Sequence, residues 1–458
     1  MKKLNLHISL VLTILMLAGC SKKEMQSPAV TLTLKSSSIQ TGYPTVPNEL
    51  LIKFKSGVDD NGKNGVLGKI GGKHKEKILT KAMTNGGDKQ GLNIVNVPGS
   101  VDDAIAKIKN LAEVEYAEPN YIYTNQAVSN DPLFSLMWGM FGTTTSPANQ
   151  YGSQAAVAWA AGHTGSKSVY VGIIDSGYMY DHEDLNHNAA TVPGEIPDNG
   201  LDDDGDGYID DVYGWDFNDN SNTVFDGLED VHGTHVAGII GAFGGNQKGV
   251  AGVCWNVNLL CAKFVGPTGG TLSNAIKAVD YFTNLKLRGV NIVATNNSWS
   301  GGGFSQGLQD AIERANQANI LFVAAAGNDG INTEPRTSYP SGYPNANVIS
   351  VASINSVGEL SSFSNYAPTK VDLAAPGELI ASCIPHLTDT GDFISSYAYM
   401  SGTSMAAPFV TGAAALYAST HPGAKAAEIK AAILDATIKT KSLNGKCKTH
   451  GRLNVSGF

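Results

Sequence analysis

Past about residue 130, short runs that are almost wholly apolar alternate with stretches of helical spacing, and no other property of the 458-residue chain limits its fold so strongly. The first run is Val169-Tyr170-Val171-Gly172-Ile173-Ile174; others cover 259–265, 290–295, 320–325 and 348–351. A strand with one wet face alternates apolar and polar residues, whereas a continuous apolar run needs cover on both faces. Residues 272–285 and 306–318 carry the helical spacing between the runs. The expected architecture is α/β, a parallel doubly wound sheet with helices on both faces. In such a sheet, reactive side chains collect beyond the carboxyl ends of the strands.

The residues ahead of this region read differently. Lys2 and Lys3 precede an apolar run, Ile8 to Leu17, that is too short to span a bilayer and has the form of an export signal. The run closes on Leu17-Ala18-Gly19-Cys20, which resembles a bacterial lipobox, where the cysteine is acylated and becomes the new N-terminus. A tether rich in Ser, Thr, Lys, Gln and Pro follows. Beyond it, strands are expected at 50–54, 91–97 and 114–123, with a helix over 101–111, which makes a small α+β unit. The expected division is a lipoprotein signal peptide at 1–19, a tether at 20–47, a front domain at 48–126 and the main domain at 127–458. No internal repeat is evident, and no further C-terminal module is expected.

Charge is divided unevenly. Residues 1–126 hold 16 lysines and no arginine against 11 acids, a net +5, while residues 127–458 hold 16 basic residues against 30 acids, a net −14. The two parts could attract each other at a distance. An acidic main domain argues against a nucleic-acid partner, because phosphate binding needs a basic surface. Export would permit disulfides, and Cys254 and Cys261, close in sequence, are the expected pair if one forms.

Three short segments carry chemistry. Asp175 ends the first buried run, in Ile173-Ile174-Asp175-Ser176-Gly177, and a charge there needs a partner. His232 opens His232-Gly233-Thr234-His235-Val236-Ala237-Gly238, where the glycines allow close packing as a helix begins; His235 is assigned to structure. Ser404 lies in Gly402-Thr403-Ser404-Met405-Ala406-Ala407-Pro408, near the start of a helix of small residues, where free N–H groups favour developing negative charge. Each alone has a bland reading, as a cap, a metal pair or a structural carboxylate. Together, in the order Asp, His, Ser, they resemble the subtilisin-like serine proteases, the subtilase family, over roughly residues 130–458. The resemblance implies a serine endopeptidase acting on polypeptide substrates, with Asp175, His232 and Ser404 as its triad. It maps Asn328, in Ala324-Ala325-Ala326-Gly327-Asn328, to the oxyanion donor. It maps Ser298-Trp299-Ser300-Gly301 to a substrate-binding edge, with Ser300 where the family usually has glycine. Ser338 maps to the base of the first specificity pocket, where no acid is evident, and Gly327 to the substrate-binding residues. All four catalytic positions are filled, which argues against a chain that keeps the fold only for binding.

Residues 181–230 hold 16 acids and no Lys or Arg, a density that calls for counterions. Asp202, Asp204, Asp206 and Asp210 stand at positions 1, 3, 5 and 9 of a calcium loop, with Gly207 at the turn; position 12 is Tyr213, which excludes a complete EF-hand. A structural calcium site is expected, and the family resemblance adds Asp184 as a further ligand. The same resemblance makes 48–126 an inhibitory propeptide, carried most clearly by Val114-Glu115-Tyr116-Ala117-Glu118-Pro119-Asn120. Self-cleavage is then expected near Gln126-Ala127, with Asn130-Asp131-Pro132-Leu133 in the mature N-terminal segment. The chain is expected to be exported from a bacterial cell, monomeric, and held to a membrane only through the lipid on Cys20.

Overall fold

The computed structural model describes residues 30–31, 45–121 and 129–458. The expected signal peptide, Cys20, most of the tether and the expected cut at Gln126-Ala127 lie outside the described residues. What is described falls into two units, one of residues 45–121 and one of residues 30–31 together with 129–458. No helix among the described residues is long and apolar enough to cross a membrane.

The first unit is a four-stranded antiparallel sheet with helices. Its elements are β1 (Thr45–Phe54), α1 (Asp60–Ile70), β2 (Lys73–Ile78), β3 (Leu92–Asn96), α2 (Val101–Ile108) and β4 (Val114–Tyr121), and the sheet order is β2-β3-β1-β4. Alternation in β1 sends Leu50, Ile52 and Phe54 into a core that Val66 and Ile70 of α1 and Ala104 and Ile108 of α2 complete. Helix α1 was not expected, because its sequence is mostly Gly, Asn, Asp and Lys. Its ends carry it. The Asp59 side chain accepts from the Gly62 N–H at 2.8 Å, and Gly71, at φ 62°, takes the left-handed position that closes the helix. The lysine-rich β2 lies at the sheet edge, where such charge discourages pairing with another chain.

The second unit is built on the expected parallel sheet. Its strands are β5 (Gly165–Asp175), β6 (Gly214–Asp216), β7 (Asn256–Lys263), β8 (Ile292–Asn297), β9 (Leu321–Ala325), β10 (Val348–Ile354) and β11 (Leu373–Pro376). They lie in the order β11-β10-β9-β8-β5-β7-β6, all parallel, and two short strands at Ile438–Lys439 and Gly451–Arg452 extend the β11 edge. Helix α3 (Val231–Gly241), a later helix at Thr403–Thr420 and Ala426–Asp435 share one hydrophobic core; α4 (Leu272–Leu287) and α5 (Gln306–Gln317) belong to a second. Fully buried strand residues such as Val171, Ile173 and Phe322 divide between these cores by the two-residue period of a strand. The chain steps from β7 on one side of β5 to β8 on the other, so the carboxyl end of β5 lies at a switch point.

Two features were not foreseen. A hairpin, β12 (Ile380–Leu387) and β13 (Phe393–Met400), leads into the helix α6 (Thr403–Thr420), and Val30–Thr31 pair with the free side of β13. The expected Cys254–Cys261 bond is absent, and both are free thiols, as are Cys383 and Cys447. The reason is extension: β7 spans nearly all of the interval, at about 3.3 Å per residue, while a disulfide needs Cα atoms within about 7 Å. Phe322 is fully buried on β9, so in a Ser404→Ala background, where self-digestion is removed, Phe322→Ala should lower unfolding stability in urea by about 3–5 kcal/mol.

Candidate functional site

Asp175 is the last residue of β5 and is 2% exposed. Its Oδ1 meets His232 Nδ1 at 2.7 Å and accepts the Ser176 N–H at 2.8 Å, while its buried Oδ2 has no hydrogen-bond partner among the described residues. His232 stands in the first turn of α3, and the glycine after it explains how that turn comes so close. A Cβ on Gly233 would lie 1.9 Å from the Gly177 carbonyl oxygen and 3.3 Å from Asp175 Oδ1. His235, one turn on, is fully buried, with Nε2 2.9 Å from the Ile380 carbonyl; burial holds its pKa down to about 3. It ties α3 to β12.

Ser404 occupies the first turn of α6, whose N-cap is Gly402. Four residues on, Pro408 has no N–H to offer the Ser404 carbonyl, so that carbonyl is open to another donor. Ser298 Oγ supplies it at 2.7 Å, and Ser404 Oγ in turn lies 3.2 Å from the Ser298 carbonyl. The end of β8 is thereby bonded to the start of α6. Asn328 follows β9, and its Oδ1 accepts from Thr403 N at 2.8 Å and Thr403 Oγ1 at 2.9 Å. Those bonds fix the amide with its Nδ2 on the side of Gly402 and Ser404, 3.6 Å from where a Gly402 Cβ would stand.

The remaining sequence-nominated residues line the same end of the sheet. Gly327 has φ 102°, and a Cβ there would lie 3.5 Å from Ser338 Oγ, so these two expected substrate-binding residues are neighbours. Gly301, at φ 130°, donates its N–H to the Tyr339 carbonyl at 3.2 Å, which joins the Ser298–Gly301 loop to the Ser338 loop. Trp299 packs edge-on against Phe264 at 5.0 Å and belongs as much to the core as to the surface. Ser300 leads into Gly301 and has no side-chain bond among the described contacts.

The acidic insert folds into tight turns around its own carboxylates. Asp202 accepts from the N–H groups of Asp206 and Gly207, Asp204 from Asp206, and Asp206 from Tyr208, all near 2.9–3.0 Å. Carboxylate oxygens of Glu195, Asp202 and Asp204 lie within 4.8 Å of one another and could hold a metal ion. Asp210 stands apart from that group. Its carboxylate accepts from Asn199 N and Gly200 N, closing the loop instead. Asp211, fully buried, replaces it in charge: burial, with Asp206, Glu195 and Asp204 close by, raises its pKa to about 7 despite a bond from Tyr281 Oη at 2.5 Å. Glu195 Oε2, Asp206 Oδ2 and Asp211 Oδ1 are buried oxygens without a donor, the condition a cation would relieve. Sequence reasoning missed Glu195 and Asp211 because neither falls in the alternate-position pattern.

Asp184 is also fully buried, accepts from Asn246 Nδ2 at 2.9 Å and Val250 N at 2.8 Å, and has its pKa raised to about 6, mainly by burial. Asp131 shares that loop, bonding the N–H groups of Gly245, Asn246 and Gln247. Asp131, Asp184 and Asn246 form an oxygen-rich set suited to a hard cation. A further trio, Asp216, Asp219 and Asp226, also has oxygens within 4.8 Å of one another, but the Lys263 ammonium lies against Asp226 and provides a countercharge.

Comparison with known proteins agrees with this arrangement. Residues 166–456 match the model of the subtilase family, and residues 40–120 match that of the fervidolysin N-terminal prodomain. The chain is 32% identical to a thermophilic serine proteinase of Bacillus sp. (strain AK1), over 98% of this chain and 96% of that protein. It is 35% identical to thermitase of Thermoactinomyces vulgaris, over 71% of this chain and 97% of that one. A solved protease structure from Pseudoalteromonas arctica superposes with a TM-score of 0.56 at 28% identity, covering 72% of this chain and 98% of its own. The parallel sheet, the residues gathered at its carboxyl edge and these matches lead to one conclusion: the chain belongs to the subtilase family and is a subtilisin-like serine protease preceded by an N-terminal prodomain.

Proposed function

We propose that the chain is a serine endopeptidase made as a lipid-anchored, calcium-stabilised precursor that removes its own prodomain, with Asp175, His232 and Ser404 as the triad. The observation that carries the catalytic part is the 2.7 Å bond between His232 Nδ1 and Asp175 Oδ1, which holds the imidazole at the end of β5 by that nitrogen, with Nε2 assigned to Ser404. His232 takes the Ser404 proton as Oγ attacks a peptide carbonyl, and Asp175 holds the imidazole tautomer and stabilises its charged form. The oxyanion is received by Asn328 Nδ2 and the Ser404 backbone N–H, one of the free donors of the α6 first turn. His232 then protonates the leaving amine, and water releases the acyl group. The substrate backbone adds as a strand along Ser298–Gly301. Gly327 and Ser338, without an acid beside them, suit a medium apolar or uncharged polar P1 side chain.

The domain boundaries follow the sequence division: signal at 1–19, tether at 20–47, propeptide at 48–126, peptidase at 127–458. The prodomain match at 40–120 and the two separate structural units support it. Export is supported by relatives named as extracellular proteases, in Dichelobacter nodosus and Xanthomonas campestris among others. Acylation of Cys20 would anchor the precursor, and a cut near Gln126-Ala127 would sever the peptidase from that anchor. The opposite net charges of the two parts favour continued association, as does the pairing of Val30–Thr31 with β13. Calcium is assigned to Asp202, Asp204 and Asp206 with Glu195 and Asp211, and to Asp184 with Asp131 and Asn246. When bound, the ion neutralises buried carboxylates and takes no part in catalysis.

Three measurements test this. Residues 21–458 of wild type should split near residues 123–130 by intact mass, while Ser404→Ala stays whole; equal cleavage of both would remove Ser404 as the nucleophile. Asn328→Ala should lose about 10²–10³ in kcat with KM little changed, the general cost of one such donor. Chelation of calcium should lower the thermal midpoint of Ser404→Ala, and Asp211→Asn should shrink the calcium-dependent part of that midpoint. A midpoint indifferent to calcium in both proteins would refute the metal assignment.

A further inference from the structure

The β12–β13 hairpin carries exposed apolar side chains to a place the catalytic step does not use. Leu387 and Phe393 are directly opposite one another at its tip and therefore share a face. They are 42% and 37% exposed. The tip is held by bonds between Thr388 and Asp392, in both directions along the turn. Phe393 meets Phe225 edge to face at 5.4 Å, and its ring stands 2.8 Å from where a Cβ on Gly227 would be. The next residue, Leu228, is 46% exposed. Phe225 and Phe393 are thus in contact, Leu387 shares the face of Phe393, and Leu228 follows Gly227, where both Phe393 and Glu229 approach the place a Cβ would take; the Lys263 ammonium lies against Asp226 and Asp230 on either side of this turn.

The place of this surface gives it a direction. Leu228–Asp230 form a single 3-10 turn that runs straight into Val231 and His232. Gly227 is five residues from His232, on the order of 10 Å along such a turn at about 2 Å per residue. That distance is about three residues of extended polypeptide at about 3.3 Å each. The acyl half of a substrate is held on the other side, by the loops that carry Ser298, Gly327 and Asn328. On the catalytic reading above, His232 hands its proton to the leaving amine, so the leaving chain begins at His232, next to the turn that precedes it.

We infer that Phe225, Leu228, Leu387 and Phe393 form a subsite for a large apolar side chain two or three residues beyond the scissile bond. This deepens the catalytic reading above and rests on it. Water leaves both the protein face and the substrate side chain when they meet, which is worth about tenfold in kcat/KM for a large apolar group over a small polar one. An acidic residue at the same place is disfavoured by Glu229.

The test is a set of quenched fluorogenic peptides with a constant acyl half and each leaving-side position varied through Phe, Leu, Ser and Asp. A chromogenic anilide of the same acyl half, with no residue beyond the scissile bond, reads the catalytic step alone and normalises each enzyme; no anilide turnover would overturn the catalytic reading beneath the subsite. With wild type, Phe and Leu should exceed Ser about tenfold at the second or third leaving-side position, and Asp should rank last. Phe393→Ser should reduce that ratio to about twofold or less, as should Leu228→Ser, whose exposed side chain makes misfolding a poor explanation. A wild-type enzyme indifferent to these positions, or a preference that survives in both variants, overturns the subsite.

Discussion

A carboxylate at the end of a strand buried on both faces must find a partner, and Asp175 finds it in His232. That single contact dictates much around it. It requires α3 to begin against the end of β5, which requires Gly233, because any Cβ would strike the Gly177 carbonyl. It requires α3 to be held against rotation, which the buried His235 does through carbonyls of β12 and β13. The opposite wall is fixed by a different device. Pro408 frees the Ser404 carbonyl, and Ser298 Oγ captures it, so α6 and β8 share a bond where a regular helix would have closed on itself. Side chains from four separate segments are thereby positioned by backbone geometry at the carboxyl end of the sheet.

The acidic insert follows a different logic. Its aspartates satisfy each other's backbone N–H groups, which shapes the loop, but this leaves charge crowded and partly buried. Burial beside like charges pushes Asp206 to about 6 and Asp211 to about 7, so these carboxyls resist ionisation where ordinary ones do not. The Arg288 guanidinium, 3.3 Å from Asp204, offsets part of that crowding and a hard cation would offset more, whereas around Asp226 and Asp230 a lysine ammonium lies against both carboxylates. Both parts of the acidic region thus meet a basic side chain, Arg288 at Asp204 in one and Lys263, the last residue of β7, at Asp226 and Asp230 in the other.

Residues whose chemistry depends on neighbours in sequence were legible in advance. Continuous apolar runs placed β5, β7, β8, β9 and β10 within a few residues of their observed limits, because two-sided burial leaves little choice of composition. Elements held by their ends or by partners were not legible. Helix α1 offers the core little beyond Val66 and Ile70 in a run of Gly, Asn, Asp and Lys, and its ends are set by the Asp59 and Gly71 caps. The β12–β13 hairpin offers mixed residues such as His386 and Ser396, and its pairing is decided across the turn. Spacing alone nominated Asp210 as a ligand, but the loop turns its oxygens toward Asn199 and Gly200. Proximity in sequence likewise suggested Cys254 and Cys261 as a pair that an extended strand keeps apart.

By itself the sequence determined the class of sheet, the two-part organisation and the residue types available at Asp175, His232, Ser404 and Asn328, because burial period and short motifs act over a few residues. The tertiary structure decided which of these meet: the bond between Asp175 and His232, the capture of the Ser404 carbonyl by Ser298, the entry of Glu195 and Asp211 into the acidic cluster, and the apolar face shared by the hairpin tip and the turn before His232. The physical reason is range. Local spacing sets which way a side chain leaves the backbone, while contacts between segments tens to hundreds of residues apart depend on the packing of the whole sheet and its helices.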